Sequence, residues 1–351
     1  MRRNVALEGP AAPAAVEPSE STQAPLYEIV LWALVVAAGL GALVAGMVPA
    51  GPAWLPSAGS LAVATAYTWV LAARTGGRPV VFSTLTLAVG AITLAVDQDE
   101  LRTGAAVVVA AISAVLGVVI TVPAVRFLDA VRETCIAVVV AAIGALAVLG
   151  LEPQVDVTRF EYATLVLSLL CVFTLVYRLG AGLHGLGTRG LFIVLFGAFV
   201  LVVTLLYAET LRRYGTPDLV STLLDVVHWS RDNLGAFPRP IEAVLGIPAL
   251  VWGTHMRARR RQGWWVCAFG VAGTAAISDA LVNPAITVVE SVLSVAYGLV
   301  VGIVIGYVVI RIDLALTGSG GGRRAVGRSG RRAEEAEQAV RPEPKRTDAL
   351  L

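Results

Sequence analysis

From Tyr27 to Arg311 the chain is a succession of long apolar stretches separated only by short charged breaks. Such a pattern restricts the fold severely, because apolar runs that follow one another so closely have only each other and lipid to bury against. A segment crossing ~30 Å of hydrocarbon must pair its own backbone N–H and C=O groups, and the unit that does so is a helix of ~17–25 residues. Ten stretches have or approach that length, near 29–48, 57–73, 79–96, 104–124, 134–151, 162–178, 190–208, 240–256, 263–280 and 287–310. Composition agrees: 57% of the residues are hydrophobic and 15% charged, and the mean hydropathy of +0.77 is far from that of a soluble domain. The expected fold is an all-α polytopic transmembrane bundle of about ten spans in contact with the lipid bilayer.

Arginine tests the count, since short cytoplasmic loops collect Lys and Arg. With both termini inside, twenty-one of the 27 basic residues fall on the cytoplasmic side and six, Arg102, Arg159, Arg212, Arg213, Arg231 and Arg239, fall outside. A missed or surplus span would reverse every loop beyond it. Acidic residues such as Asp97, Asp99 and Glu100 fall in outer loops, and Trp264 and Trp265 follow a basic cluster where an interfacial belt is expected. Basic residues are arginine except Lys345, and Ala, Gly, Val and Pro abound. This usage matches a high-GC bacterial genome and predicts a bacterial plasma membrane location.

Residues 1–26 are polar and read as a disordered cytoplasmic lead-in to a bundle over 27–311. Residues 312–351, Gly-rich and then charged, read as a disordered cytoplasmic tail whose arginines rest on anionic lipid headgroups. Paired features suggest a five-plus-five inverted repeat: an aromatic-Glu pair opens the first and sixth spans (Tyr27-Glu28, Phe160-Glu161), and Arg-Pro opens the third and eighth (Arg78-Pro79, Arg239-Pro240).

The longest polar interruption is the outer loop 209–240. Within it, Thr216-Pro217 starts and Gly235 stops an amphipathic helix over 217–234. Arg212, Arg213, His228, Arg231 and Arg239 make it the candidate substrate-binding lid, a set able to hold a phosphate or carboxylate; its acidic residues favour a plain structural lid. Asp279, Glu290 and Ser294 form a second candidate, a polar hairpin about Asn283-Pro284. Counting ~1.5 Å per residue from the span ends places both carboxylates at the outer boundary with access to water. Gly298, Gly302 and Gly306 form a stripe for close helix packing, within the bundle or as a homodimer seam, and a similar stripe at Ala38, Ala42 and Gly46 makes the first and last helices expected neighbours.

Several chemistries are not signalled. Gly180-Ala181-Gly182-Leu183-His184-Gly185 matches a dinucleotide fingerprint, but lies between two spans instead of between a strand and a helix, so it reads as a connector. Cys135, Cys171 and Cys267 are far apart, the three histidines fall on different sides, and no nucleophile-base pattern is present. No catalytic residue, metal, cofactor or nucleic-acid partner is expected. In helix count and placement of both ends the chain resembles the drug/metabolite transporter superfamily, a resemblance of architecture that implies a carrier. The function expected is transport of a small or lipid-linked solute. The alternatives are a non-catalytic bundle supporting envelope assembly or a partner, and an enzyme of lipid-linked glycan chemistry at the outer face.

Overall fold

A computed structural model describes residues 26–48, 51–154, 156–179, 187–260, 262–318 and 343–350; the side chains of 187–189, 208, 209, 211–213, 219, 317 and 318 are outside the description. Among the described residues there are eleven α-helices and no strand: α1 Leu26–Met47, α2 Leu55–Arg74, α3 Pro79–Val96, α4 Asp99–Val119, α5 Phe127–Leu149, α6 Val157–Arg178, α7 Gly187–Tyr214, α8 Pro217–Leu234, α9 Ile247–Arg257, α10 Gly263–Val282 and α11 Val288–Gly318. A π-turn, Ile241–Gly246, precedes α9. Nine helices, all but α8 and α9, are long and apolar enough to cross a membrane. The eighth expected span differs: it is the π-turn followed by α9, which together rise ~25 Å at ~1.5 Å per residue.

The helix ends fall into two groups. At one end, Arg257 at the close of α9 donates to Thr121 Oγ1 at 2.9 Å, the Val122 amide donates to Glu133 of α5 at 3.0 Å, and the Ala124 amide donates to the Thr254 carbonyl at 3.0 Å. At the other, Arg102 of α4 pairs with Asp97 after α3 at 2.6 Å and with Glu152 after α5 at 3.5 Å. Helices therefore alternate in direction. Arg74, Arg126, Arg132, Arg257 and Arg259 gather at the first end, called the arginine-rich end below.

The core is organised around α10, which is buried along almost its whole length between α4, α5, α6, α9 and the π-turn. Small residues make this possible. A Cβ on Gly246 would stand 2.2 Å from the backbone of Gly273, and one on Gly253 would stand 2.7 Å from the Cys267 amide nitrogen, so the π-turn and α9 lie backbone to backbone on α10. Trp264 and Trp265 are buried here instead of forming an interfacial belt, and the Arg257 guanidinium lies 3.5 Å above the Trp264 ring.

The two small-residue stripes have different partners from those expected. Gly298, Gly302 and Gly306 face Glu242, Ile247 and Val251, one π-turn or α9 residue each, so this stripe packs within the bundle and its face is already covered against a second copy. The α1 stripe packs on α2 through Gly39, Ala42 and Gly59, not on the last helix. The Arg-Pro pairs also serve unlike positions. Pro79 begins α3, which lies at the lipid-facing edge, whereas Pro240 caps the buried π-turn.

Candidate functional site

Pro248 follows the π-turn by two residues. In a regular helix its ring would clash with the Val244 carbonyl and its missing N–H would leave that carbonyl unpaired; one wider turn, with the Ile247 amide bonded to the Glu242 carbonyl, relieves both. The widening turns Glu242 inward. Its side chain is 0% exposed, wedged against Gly298 of α11, where an added Cβ would lie 2.8 Å from Glu242 Cδ. Neither carboxyl oxygen has a hydrogen-bond partner among the described residues. Gly298 lies eight residues beyond Glu290 along α11, or ~12 Å at ~1.5 Å per residue, so Glu242 sits inside the bundle below the rim marked by Glu290.

A carboxylate at such depth is costly unless its charge is offset. The nearest offset is Arg239, one turn before it and within electrostatic reach of both Glu242 and Asp279. Arg239 Nη2 donates to the Asp279 carbonyl at 3.4 Å. Asp279 is 4% exposed, and its Oδ1, like the neighbouring Ser278 hydroxyl, has no hydrogen-bond partner. Glu161 of α6 also acts electrostatically on Asp279. On the buried face of α6, the Thr164 and Ser168 hydroxyls are equally unpartnered. Three elements thus present buried polar groups with spare hydrogen-bonding capacity, and Glu242 is the deepest carboxylate among them.

The amphipathic helix expected in the lid is present with its expected bounds. α8 runs over 217–234 with Gly235 left-handed at its end (φ 79°), although Thr216 makes no side-chain cap bond. Leu223, Leu224, Val226 and Trp229 are exposed on it. Its C-terminal end is tied to α11 by Arg231–Glu290 at 3.1 Å and by Tyr297 donating to the Leu234 carbonyl at 2.7 Å. Of the five lid residues, the three whose side chains are described, His228, Arg231 and Arg239, are not brought together. Arg231 faces Glu290, His228 is exposed, Arg239 turns to Asp279, and the Arg212 and Arg213 side chains lie outside the described residues.

The hairpin candidate separates likewise. Glu290 stands at the rim with Arg231, Ser294 donates to the Phe237 carbonyl at 2.7 Å, and Asp279 is buried, not water-accessible as the residue count implies. Asp97 pairs with Arg102, whereas among the described lid arginines Arg231 pairs with Glu290 and Arg239 donates to the Asp279 carbonyl. No group of three or more His, Cys, Asp or Glu able to hold a metal occurs among the described residues. The Gly180–Gly185 motif, residues 1–25 and 319–342 lie outside the described residues.

Two apolar grooves open beside α3. One, of about 620 Å³, runs between α2, α3, α4 and α6 with Thr68, Cys171 and Thr174 in its wall and Arg178 at its mouth; the other, of about 410 Å³, lies toward Glu100, and both touch Val108 and Ile112. They are lateral grooves, distant from the packed centre around α10. Missed altogether by sequence reasoning are Glu242, Glu133 and Arg257, each 0% exposed. The signal for Glu242 was present: an ionisable residue just inside an apolar run, preceded by Arg239-Pro240 and followed by Pro248. Comparison with protein-family models, with curated proteins and with solved structures gives no match, so what the chain is known to be is a multi-pass helical membrane protein.

Proposed function

We propose that this protein is a proton-linked carrier of the plasma membrane, with Glu242 as its proton site and with both chain ends on the cytoplasmic side. The observation that carries the reading is the Glu242 carboxyl, buried in the helix bundle in a π-turn with both oxygens unpartnered among the described residues. A proton suits this place better than a metal ion, because a hard cation needs about six oxygen ligands and the groove wall facing Glu242 is a glycine. Asp279, Ser278 and Arg239 extend the polar path from Glu242 toward the end that carries α8. In such a cycle Arg239 is the cation that offsets a charge on Glu242 or on Asp279, and proton binding to Glu242 leaves it to Asp279, whose carbonyl it already contacts. The crossing directions support the placement of the ends: the arginine-rich end meets the positive-inside rule if it faces the cytoplasm.

The test uses proteoliposomes loaded with a pH-sensitive dye and presented with fractions of a cellular small-molecule extract. The carrier reading expects solute-dependent proton flux in the wild type and its loss in Glu242→Gln, with folding retained. Unaltered flux and unaltered growth complementation by both Glu242→Gln and Glu242→Ala would overturn it. The solid packing around α10 favours one second reading, a supporting bundle, in which replacing Glu242 changes stability alone.

A further inference from the structure

The last residues of the chain return to the bundle. Three charged residues of the arginine-rich end, Arg74, Glu133 and Arg257, are joined there by groups of residues 343–350. Glu343 pairs with Arg257 at 2.8 Å, and both side chains are buried. Arg346 Nη2 donates to both oxygens of Glu133, at 2.9 and 2.8 Å, while Arg132 holds the same carboxylate from its other side at 3.0 Å. Arg74 Nη1 donates to the Lys345 and Asp348 carbonyls, and the Leu350 amide donates back to the Arg74 carbonyl at 2.8 Å. Leu350 packs against the apolar core cluster formed with Trp264 and Trp265.

This is recognition by type and order of group. The cleft offers a cation (Arg257), an anion (Glu133) and a guanidinium aimed at backbone carbonyls (Arg74), and the segment answers with an anion, a cation three residues on and two carbonyls. Charge-assisted bonds of this kind are strong when buried. Yet the grip is incomplete among the described residues, where Arg74 Nε and Nη2 and Arg257 Nε are buried with no hydrogen-bond partner. The segment itself is short, and Pro344, Lys345, Thr347 and Ala349 stay exposed. Eight residues held at a few points, on the same chain as their receptor, can leave and rebind without any helix unfolding.

We propose that residues 343–350 are a releasable latch: the cleft lined by Arg74, Glu133 and Arg257 is a binding site for the chain's own C-terminal segment, which closes the arginine-rich end when docked and uncovers the three charged residues when it leaves. The proposal is independent of the carrier reading, because it concerns docking and not flux.

The test is made on the full chain in lipid nanodiscs. Asp348, 5% exposed in the docked segment, is replaced by cysteine, and its maleimide reaction is read at that residue by mass spectrometry against an Arg126→Cys control, a position 83% exposed in its side chain. The latch predicts labelling at least tenfold slower at 348 than at 126. It also predicts at least tenfold acceleration by Arg346→Glu or by Glu343→Gln, both on the segment and away from the helices. Excess synthetic peptide of residues 343–351 should accelerate it as well, by competing for the cleft. Equal rates at 348 and 126 would overturn docking. Slow labelling that neither the segment substitutions nor the peptide changes would overturn release. The charge exchange Glu133→Arg with Arg346→Glu should restore protection, and continued fast labelling in a folded double variant would overturn the pairing.

Discussion

At the scale of single residues, the protein places charge where lipid alone would reject it and manages each case differently. Glu133 is neutralised by two arginines, and Arg257 by Glu343, the Thr121 hydroxyl and carbonyl and the face of Trp264. Glu242 has no such closure. The contrast yields opposite expectations for substitution. Removing Arg257 as Arg257→Ala breaks its buried ion pair with Glu343 and opens a void beside Trp264, at a cost of roughly 3–5 kcal/mol for breaking a buried pair; a thermal-unfolding series should show a large drop in Tm. Glu242→Gln keeps the shape and removes only an ionisable group without a hydrogen-bond partner among the described residues, so its Tm should stay within a few degrees of the wild type while proton-linked activity is lost. Gly298→Ala separates shape from charge: its Cβ would press on Glu242 Cδ at 2.8 Å, and it should impair activity with Glu242 still present.

At the scale of elements, the π-turn and α9 form the unit that makes the interior polar, and glycines decide how closely it approaches its neighbours. Gly246→Ala would drive a Cβ to 2.2 Å from backbone atoms of Gly273, which no side-chain rotation relieves. Overpacking typically costs about 1–3 kcal/mol, and a backbone-to-backbone clash belongs at the top of that range. Expression level and Tm of this variant should fall more than those of Gly104→Ala, where an added Cβ meets nothing within 4 Å. Element ends show what local sequence can and cannot convey. Pro79 and the Thr216-Pro217 to Gly235 frame mark α3 and α8 to the residue, because proline and left-handed glycine act locally. In contrast α4, α5 and α6 begin about five to seven residues before their apolar runs, at Asp99, Phe127 and Val157, since a helix continues past the hydrocarbon into charged first turns. The burial of Glu133 and Arg257 was not legible at all. Their partners Arg346 and Glu343 are remote in sequence, and only the fold brings them together.

At the scale of the whole molecule, alternating helix direction divides the charged residues between two ends, and the carrier reading requires those ends to face different compartments. Cysteines at the exposed positions Arg126 and Asp232 should react with a membrane-impermeant maleimide from opposite sides in intact cells: Asp232→Cys at once, Arg126→Cys only after permeabilisation. Labelling of both from outside would contradict the placement of the crossings, including that made by the π-turn and α9. The central claim concerns what lies between the two ends, a carboxyl that exchanges its proton with water across a packed interior. Its most direct measurement is the pH-difference infrared spectrum of the protein in bilayers, compared between wild type and Glu242→Gln. The account predicts a carboxylic-acid carbonyl band that grows on acidification in the wild type and is missing from the variant. Superimposable spectra in that region would contradict it.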